Sequence, residues 1–156
     1  MLFVKMNKKK VLVLYQSWSN WFENDYSRFE EWFKDKDGAY DENIDYYVLA
    51  FSNNSNIFQK EKNVKVELIK STPQKQFLDL IKFRKKVKNI IQEFKPDYIY
   101  SPFIYLLSIV PKGKHKTIGF LRDKTSEMVK GKGGLRSFLG NIFYFLDYLA
   151  MKKIDI

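Results

Sequence analysis

The 156-residue chain is the size of one domain and long enough to bury most of its apolar surface without covalent staples. It has no Cys, which excludes a disulfide framework, a thiolate metal site and a Cys nucleophile, and a single His makes a zinc site improbable. A net charge of +10, from 28 Lys and Arg against 18 Asp and Glu, attracts phosphates, nucleic acid or anionic lipid without choosing among them.

The N-terminal MLFVKMNKKK is too briefly apolar for a signal peptide or a membrane span. Val11 to Tyr15 (VLVLY) has no polar alternation, so it predicts a strand covered on both faces, as in a parallel sheet. Phe22, Tyr26, Phe29 and Phe33 then recur at helical steps, predicting an amphipathic helix capped by Ser19 or Asn20 and ended at Asp37-Gly38. Ile44 to Phe51 reads as a second strand, with the polar SNNSN as the loop after it. Val64 to Ile69 (VKVELI) alternates and predicts a half-exposed strand near a sheet edge.

Ser71 or Thr72 followed by Pro73 marks a helix start. The helix places Phe77, Leu80, Ile81, Phe83, Val87, Ile90, Ile91 and Phe94 on or near one face, Lys82, Arg84, Lys85, Lys86 and Lys88 on the others, and ends before Pro96. Tyr98 to Tyr100 is a strand, Phe103 to Val110 a short apolar helix or turn, and Lys116 to Leu121 another strand. A glycine-rich loop then leads to an apolar helix from about Leu135 to Lys152. Ile154-Asp155-Ile156 resembles the opening of a further strand, and from it a longer protein is expected.

This order of elements is the pattern of an α/β fold, a Rossmann-like doubly wound and mostly parallel sheet with helices on both faces. Ligands in such sheets collect at the carboxyl ends of the strands, so the Ser101-Pro102 break delivers polar backbone to the functional edge.

KKVLVLYQ, FKPDYIYSP, HKTIGFLRD and a long helix leading into AMKKIDI resemble, in that order, the N-terminal domain of GT-B fold glycosyltransferases, especially glycosyltransferase family 4. The resemblance covers essentially the whole chain and implies an acceptor-binding half, with a C-terminal domain holding most of the nucleotide sugar. It further implies transfer of a sugar, with retention at the anomeric carbon, to a saccharide or lipid-linked acceptor of the cell envelope. No cofactor and no nucleic-acid partner is expected; a cytoplasmic location is, with an anionic membrane surface at its inner face as a further partner. The chain departs from the family pattern in two places: QSWSNWFEND lacks the usual glycines, and Leu121-Arg122-Asp123 stands where His is common.

At residue level, Asp123 is the candidate to orient or deprotonate an acceptor hydroxyl, and Arg122 to grip a phosphate. A loop salt bridge or a turn cap is the alternative. Ser17, Trp18, Ser19 and Asn20 follow the first strand, where hydroxyls, helix amides and a Trp face suit an anion or a sugar, or serve ordinary capping and packing. Ser101 and Lys124 complete the expected substrate-binding set. Gly131, Gly133 and Gly134 lack the spacing of a nucleotide-triphosphate loop, and His115 reads as a surface residue. Two other readings stand beside this one: a flavodoxin-like binding or signalling module, and a basic nucleic-acid-binding domain.

Overall fold

The computed structural model describes residues 8–16, 33–72, 75–119 and 135–155. Their core is a six-stranded sheet. In chain order the strands are β1 (Lys9–Tyr15), β2 (Ile44–Ser52), β3 (Asn56–Glu61), β4 (Val64–Lys70), β5 (Tyr98–Ser101) and β6 (Lys116–Gly119). The spatial order is β3-β4-β2-β1-β5-β6; every neighbouring pair is parallel except β3 with β4.

β1 and β2 are buried as their unbroken apolar runs require, with Leu12, Val13, Leu14, Val48, Leu49 and Ala50 fully covered. Successive residues point to opposite faces. Leu12, Leu14, Tyr47, Leu49, Phe51 and Ile99 face one layer of the core, and Val13, Tyr15, Tyr46, Val48, Ala50, Val64, Val66 and Leu68 face the other.

The three described helices all pack on the first face: α1 (Gln76–Phe94), α2 (Ile104–Leu107) and α3 (Leu135–Met151). α1 buries Leu80, Phe83, Val87 and Ile90, a 3.6-residue seam, and the Phe83 ring lies 4.5 Å from that of Phe51. Ile81, one residue off that seam, is 80% exposed instead of buried. The helix expected on the second face has Phe22, Tyr26 and Phe29 outside the described residues. Phe33 at its end does reach that layer, edge-on to Tyr46 at 5.4 Å and to Tyr100 at 5.5 Å. After it, Asp35 Oδ1 accepts from the Asp37 and Ala39 amides, and Gly38 (φ 76°) makes the turn that Asp37-Gly38 announces.

Two expectations are corrected. The loop after β2 is shorter than SNNSN, because Asn56 already opens β3, an antiparallel edge strand held by backbone pairing to β4. With β3 outside it, β4 is better covered than its alternation implies, and even Glu67 is only 5% exposed. That carboxylate accepts from Tyr47 Oη at 2.6 Å and pairs with Lys86 Nζ at 2.6 Å, fastening α1 to the sheet. Burial first, then the bond to Glu67, pushes the Tyr47 phenol up.

The start of α1 also differs in detail from a simple Ser or Thr cap. The Ser71 hydroxyl donates to Asp79 Oδ2 at 2.7 Å, and Lys82 closes on Asp79 Oδ1 at 2.9 Å. The helix ends as expected before Pro96, at Lys95, which adopts left-handed backbone (φ 52°) and donates its amide to the Ile91 carbonyl.

Two aspartates at strand entrances repeat one bonding pattern. Asp97 gives its amide to the Lys10 carbonyl at 2.9 Å and takes the Lys10 amide on Oδ2 at 2.8 Å. Asp155 gives its amide to the Thr117 carbonyl at 2.9 Å and takes the Thr117 amide on Oδ2 at 2.6 Å. Each carboxylate clasps a neighbouring strand at its amino end, and the Thr117 amide holds Asp155 below its ordinary pKa.

Candidate functional site

The strand order reverses between β1 and β5: the chain runs outward from β1 through β2 and β4, then returns to β5 on the other side of β1 and proceeds to β6. At such a switch point the connections leave in opposite directions, the arrangement in which a crevice is expected beyond the carboxyl ends of the two strands. Its described floor is Tyr15-Gln16 from β1 and Ser101-Pro102-Phe103 from β5.

The Ser101-Pro102 break shapes that floor. Ser101 is fully buried, and its Oγ lies 2.9 Å from both the Leu14 and the Phe103 carbonyls while accepting the Phe103 amide at 3.1 Å. One hydroxyl proton is shared between two carbonyls, so the side chain ties the end of β5 to the end of β1 and folds the following turn back on itself. Phe103 then stands edge-on to the Tyr15 ring at 5.4 Å and touches both layers of the core. Burial raises the Tyr100 phenol above its ordinary pKa on the same strand.

Ser101 therefore lies where the sequence puts it along the chain, but its hydroxyl is turned into the protein and builds the crevice wall. Gln16, which continues β1 into the crevice, is 1% exposed. Arg122, Asp123 and Lys124, and Ser17, Trp18, Ser19 and Asn20, lie outside the described residues.

The chain segment after Ser101 explains the remaining apolar run of this region. α2 is fully buried, Tyr105 packs edge-on to Phe143 of α3 at 5.1 Å, and burial followed by the field of Asp147 drives the Tyr105 phenol well up. Lys153 reaches back to the Ser108 and Val110 carbonyls at 2.5 and 2.7 Å, satisfying the end of α2. Desolvation lowers the pKa of that ammonium, with Arg84 and Lys112 adding repulsion.

No family model matches the chain, and no curated protein matches it.

At the opposite, amino-terminal edge of the sheet two cavities open. One, of about 540 Å³, is bordered by charges of both signs, Lys8, Glu42, Glu61 and Lys62. The other, of about 490 Å³, is bordered by four lysines, Lys9, Lys95, Lys114 and Lys116, with Asp97, His115 and the apolar Ile91, Pro96 and Tyr98. His115 is partly buried, not simply a surface residue: burial lowers its pKa, against the Pro111 carbonyl and the field of Asp155, which raise it. Among the described residues no cluster of three His, Asp or Glu side chains forms a metal site, and no helix is long and apolar enough to cross a membrane.

Proposed function

We propose that the chain is the acceptor-side, N-terminal domain of a GT-B glycosyltransferase, which positions a saccharide or lipid-linked acceptor for attack on a nucleotide sugar held mainly by a second domain. The observation that carries this reading is the sheet order, whose reversal between β1 and β5 brings Gln16 and the Ser101-Pro102-Phe103 segment to one edge. The division of labour follows from the resemblance: this half offers sheet-edge loops to an acceptor hydroxyl, with Asp123 as the group to orient or deprotonate it and Arg122 to meet a phosphate. The aromatic pair of buried Tyr15 and partly buried Phe103 packs beneath this edge and makes its base firm.

A lipid-linked acceptor calls for approach to an anionic surface at the cytoplasmic face of a membrane. Exposed apolar side chains beside lysines, Leu78 and Ile81 on α1 and Tyr144, Phe145, Tyr148 and Met151 on α3, support such an approach.

The test is backbone-amide NMR with the chain as it stands, titrated with oligosaccharide and polyprenyl-phosphate-saccharide acceptors and, separately, with nucleotide sugars. Acceptors are expected to shift the amides of Tyr15, Gln16 and Phe103, with weaker or absent response to donors, and Asp123→Asn to weaken acceptor binding. A full acceptor panel that leaves those amides unmoved overturns the reading.

A further inference from the structure

The lysines of the described surface are not all alike. Lys8, Lys82 and Lys86 each meet a carboxylate, Asp45 at 3.5 Å, Asp79 at 2.9 Å and Glu67 at 2.6 Å. Around the 490 Å³ cavity at the amino-terminal edge, Lys9, Lys95, Lys114 and Lys116 converge from three directions: the start of β1, the end of α1, and the loop into β6. Among the described residues none of these four makes an ion pair. The one acidic side chain bordering the cavity, Asp97, has its Oδ2 engaged by the Lys10 amide. Four lysines against one bordering carboxylate, with Asp155 close enough to feel Lys116 and His115, leave the rim net positive, and an anion placed there meets an attractive field.

Two backbone features hold this arrangement in place. Lys95 is the one non-glycine residue among those described with positive φ (52°), at a helix-terminal position where glycine or asparagine is the ordinary choice. A lysine kept there at a conformational cost is the kind of outlier from which a functional role is inferred. Gly113 lies so close to the His115 imidazole that a Cβ on it would come within 2.5 Å of Cε1. A side chain at this position would push the ring aside from the loop that carries Lys114.

We propose that this cavity is a binding site for a small polyphosphate-bearing anion. Lysine is a point-charge phosphate binder, and several lysines around one concavity match the spread charge of a di- or triphosphate better than a single phosphate monoester. The volume falls in the range of small-molecule sites, and the four lysines border one open concavity, whereas a nucleic-acid backbone would be tracked by a stripe of basic residues. The site lies at the opposite edge of the sheet from the β1/β5 crevice, so it does not depend on the glycosyltransferase reading.

Isothermal titration with inorganic tripolyphosphate tests the site, using the intact chain, the double variant Lys114→Ala/Lys116→Ala, and a charge-matched control, Lys85→Ala/Lys88→Ala, on the exposed side of α1. One saturable site is expected, weakened by about tenfold or more in the first variant and within about twofold in the control. In parallel, amide shifts are expected at residues 95–98 and 113–116, with Gly113→Ala, which displaces the His115 ring, reproducing part of the loss. Equal weakening in both double variants would mean a delocalised field and overturns the site. So does the absence of saturation, or single-stranded DNA binding that spreads shifts over the lysines of α1 while tripolyphosphate produces none at residues 113–116.

Discussion

Ser101→Ala separates a wall residue from a ligand-contacting one. The hydroxyl is fully buried, donates toward the Leu14 and Phe103 carbonyls at 2.9 Å, and accepts the Phe103 amide at 3.1 Å. Removing it forfeits roughly 1 kcal/mol of net bonding and leaves buried backbone groups short of a partner, at about 1–3 kcal/mol for a fully orphaned group. Because the two carbonyls share a single proton, only part of that second cost applies. The expected total is about 2 kcal/mol. For a domain of this size that corresponds to a fall of about 4–8 °C in Tm. Urea denaturation followed by far-UV circular dichroism, with calorimetry alongside, reads both quantities. A loss below about 0.5 kcal/mol would refute the argument that Ser101 joins β5 to β1. Unchanged stability together with lost acceptor binding would reassign the hydroxyl to the ligand.

Glu67→Ala should cost about 2–3 kcal/mol, the lower end for a broken buried pair because Lys86 is two-fifths exposed and can return to water; Tyr47→Phe should then cost little in that background, and additive costs in a denaturation cycle would contradict the shared network. Asp79 is held below the ordinary carboxylate pKa, first by Lys82 and then by Ser71. Protons therefore bind the unfolded carboxyl more readily, so its contribution is complete above about pH 4 and is lost as pH falls through the lower folded value. Asp79→Asn should flatten the acid limb of a stability-against-pH curve, and an unaltered limb would show that Asp79 does not drive it. Gly119→Ala places a Cβ 2.6 Å from Ile154 Cδ1 and 3.1 Å from the buried Leu107 Cδ1. A cost of about 1–2 kcal/mol is expected, largely recovered by Ile154→Val, which removes the nearer atom, and absence of recovery would locate the clash elsewhere.

How much of this was legible follows from what each element depends on. β1, β2 and α1 are announced by burial, which the sequence carries as apolar runs and helical spacing. β3 (NIFQKE) is not, because its burial is slight and its partner is the backbone of β4, which imposes no side-chain pattern. The SPF break was readable as a strand end at the carboxyl edge of the sheet. The inward turn of the Ser101 hydroxyl was not, since it depends on the register of β5 against β1. Asp97 read as a turn residue and Asp155 as the opening of a further strand, and neither reading carries the clasp, which needs a neighbouring strand some 87 or 38 positions away in the chain. Lys9, Lys95, Lys114 and Lys116 are scattered in sequence and become a group only when α1 and three strand entrances meet.

The antiparallel β3 has a consequence for how these molecules behave in company. A parallel sheet that ended at β4 would present a straight row of unpaired amides and carbonyls beside an apolar strand, a template for stacking one copy on the next. β3 covers that row with a strand that is almost wholly exposed, carries Lys60 and Glu61, and shifts register between Gln59 and Glu61. Its irregular, charged outer rim makes a poor template for another strand. The short hairpin thus shields this edge of the sheet against strand-to-strand stacking.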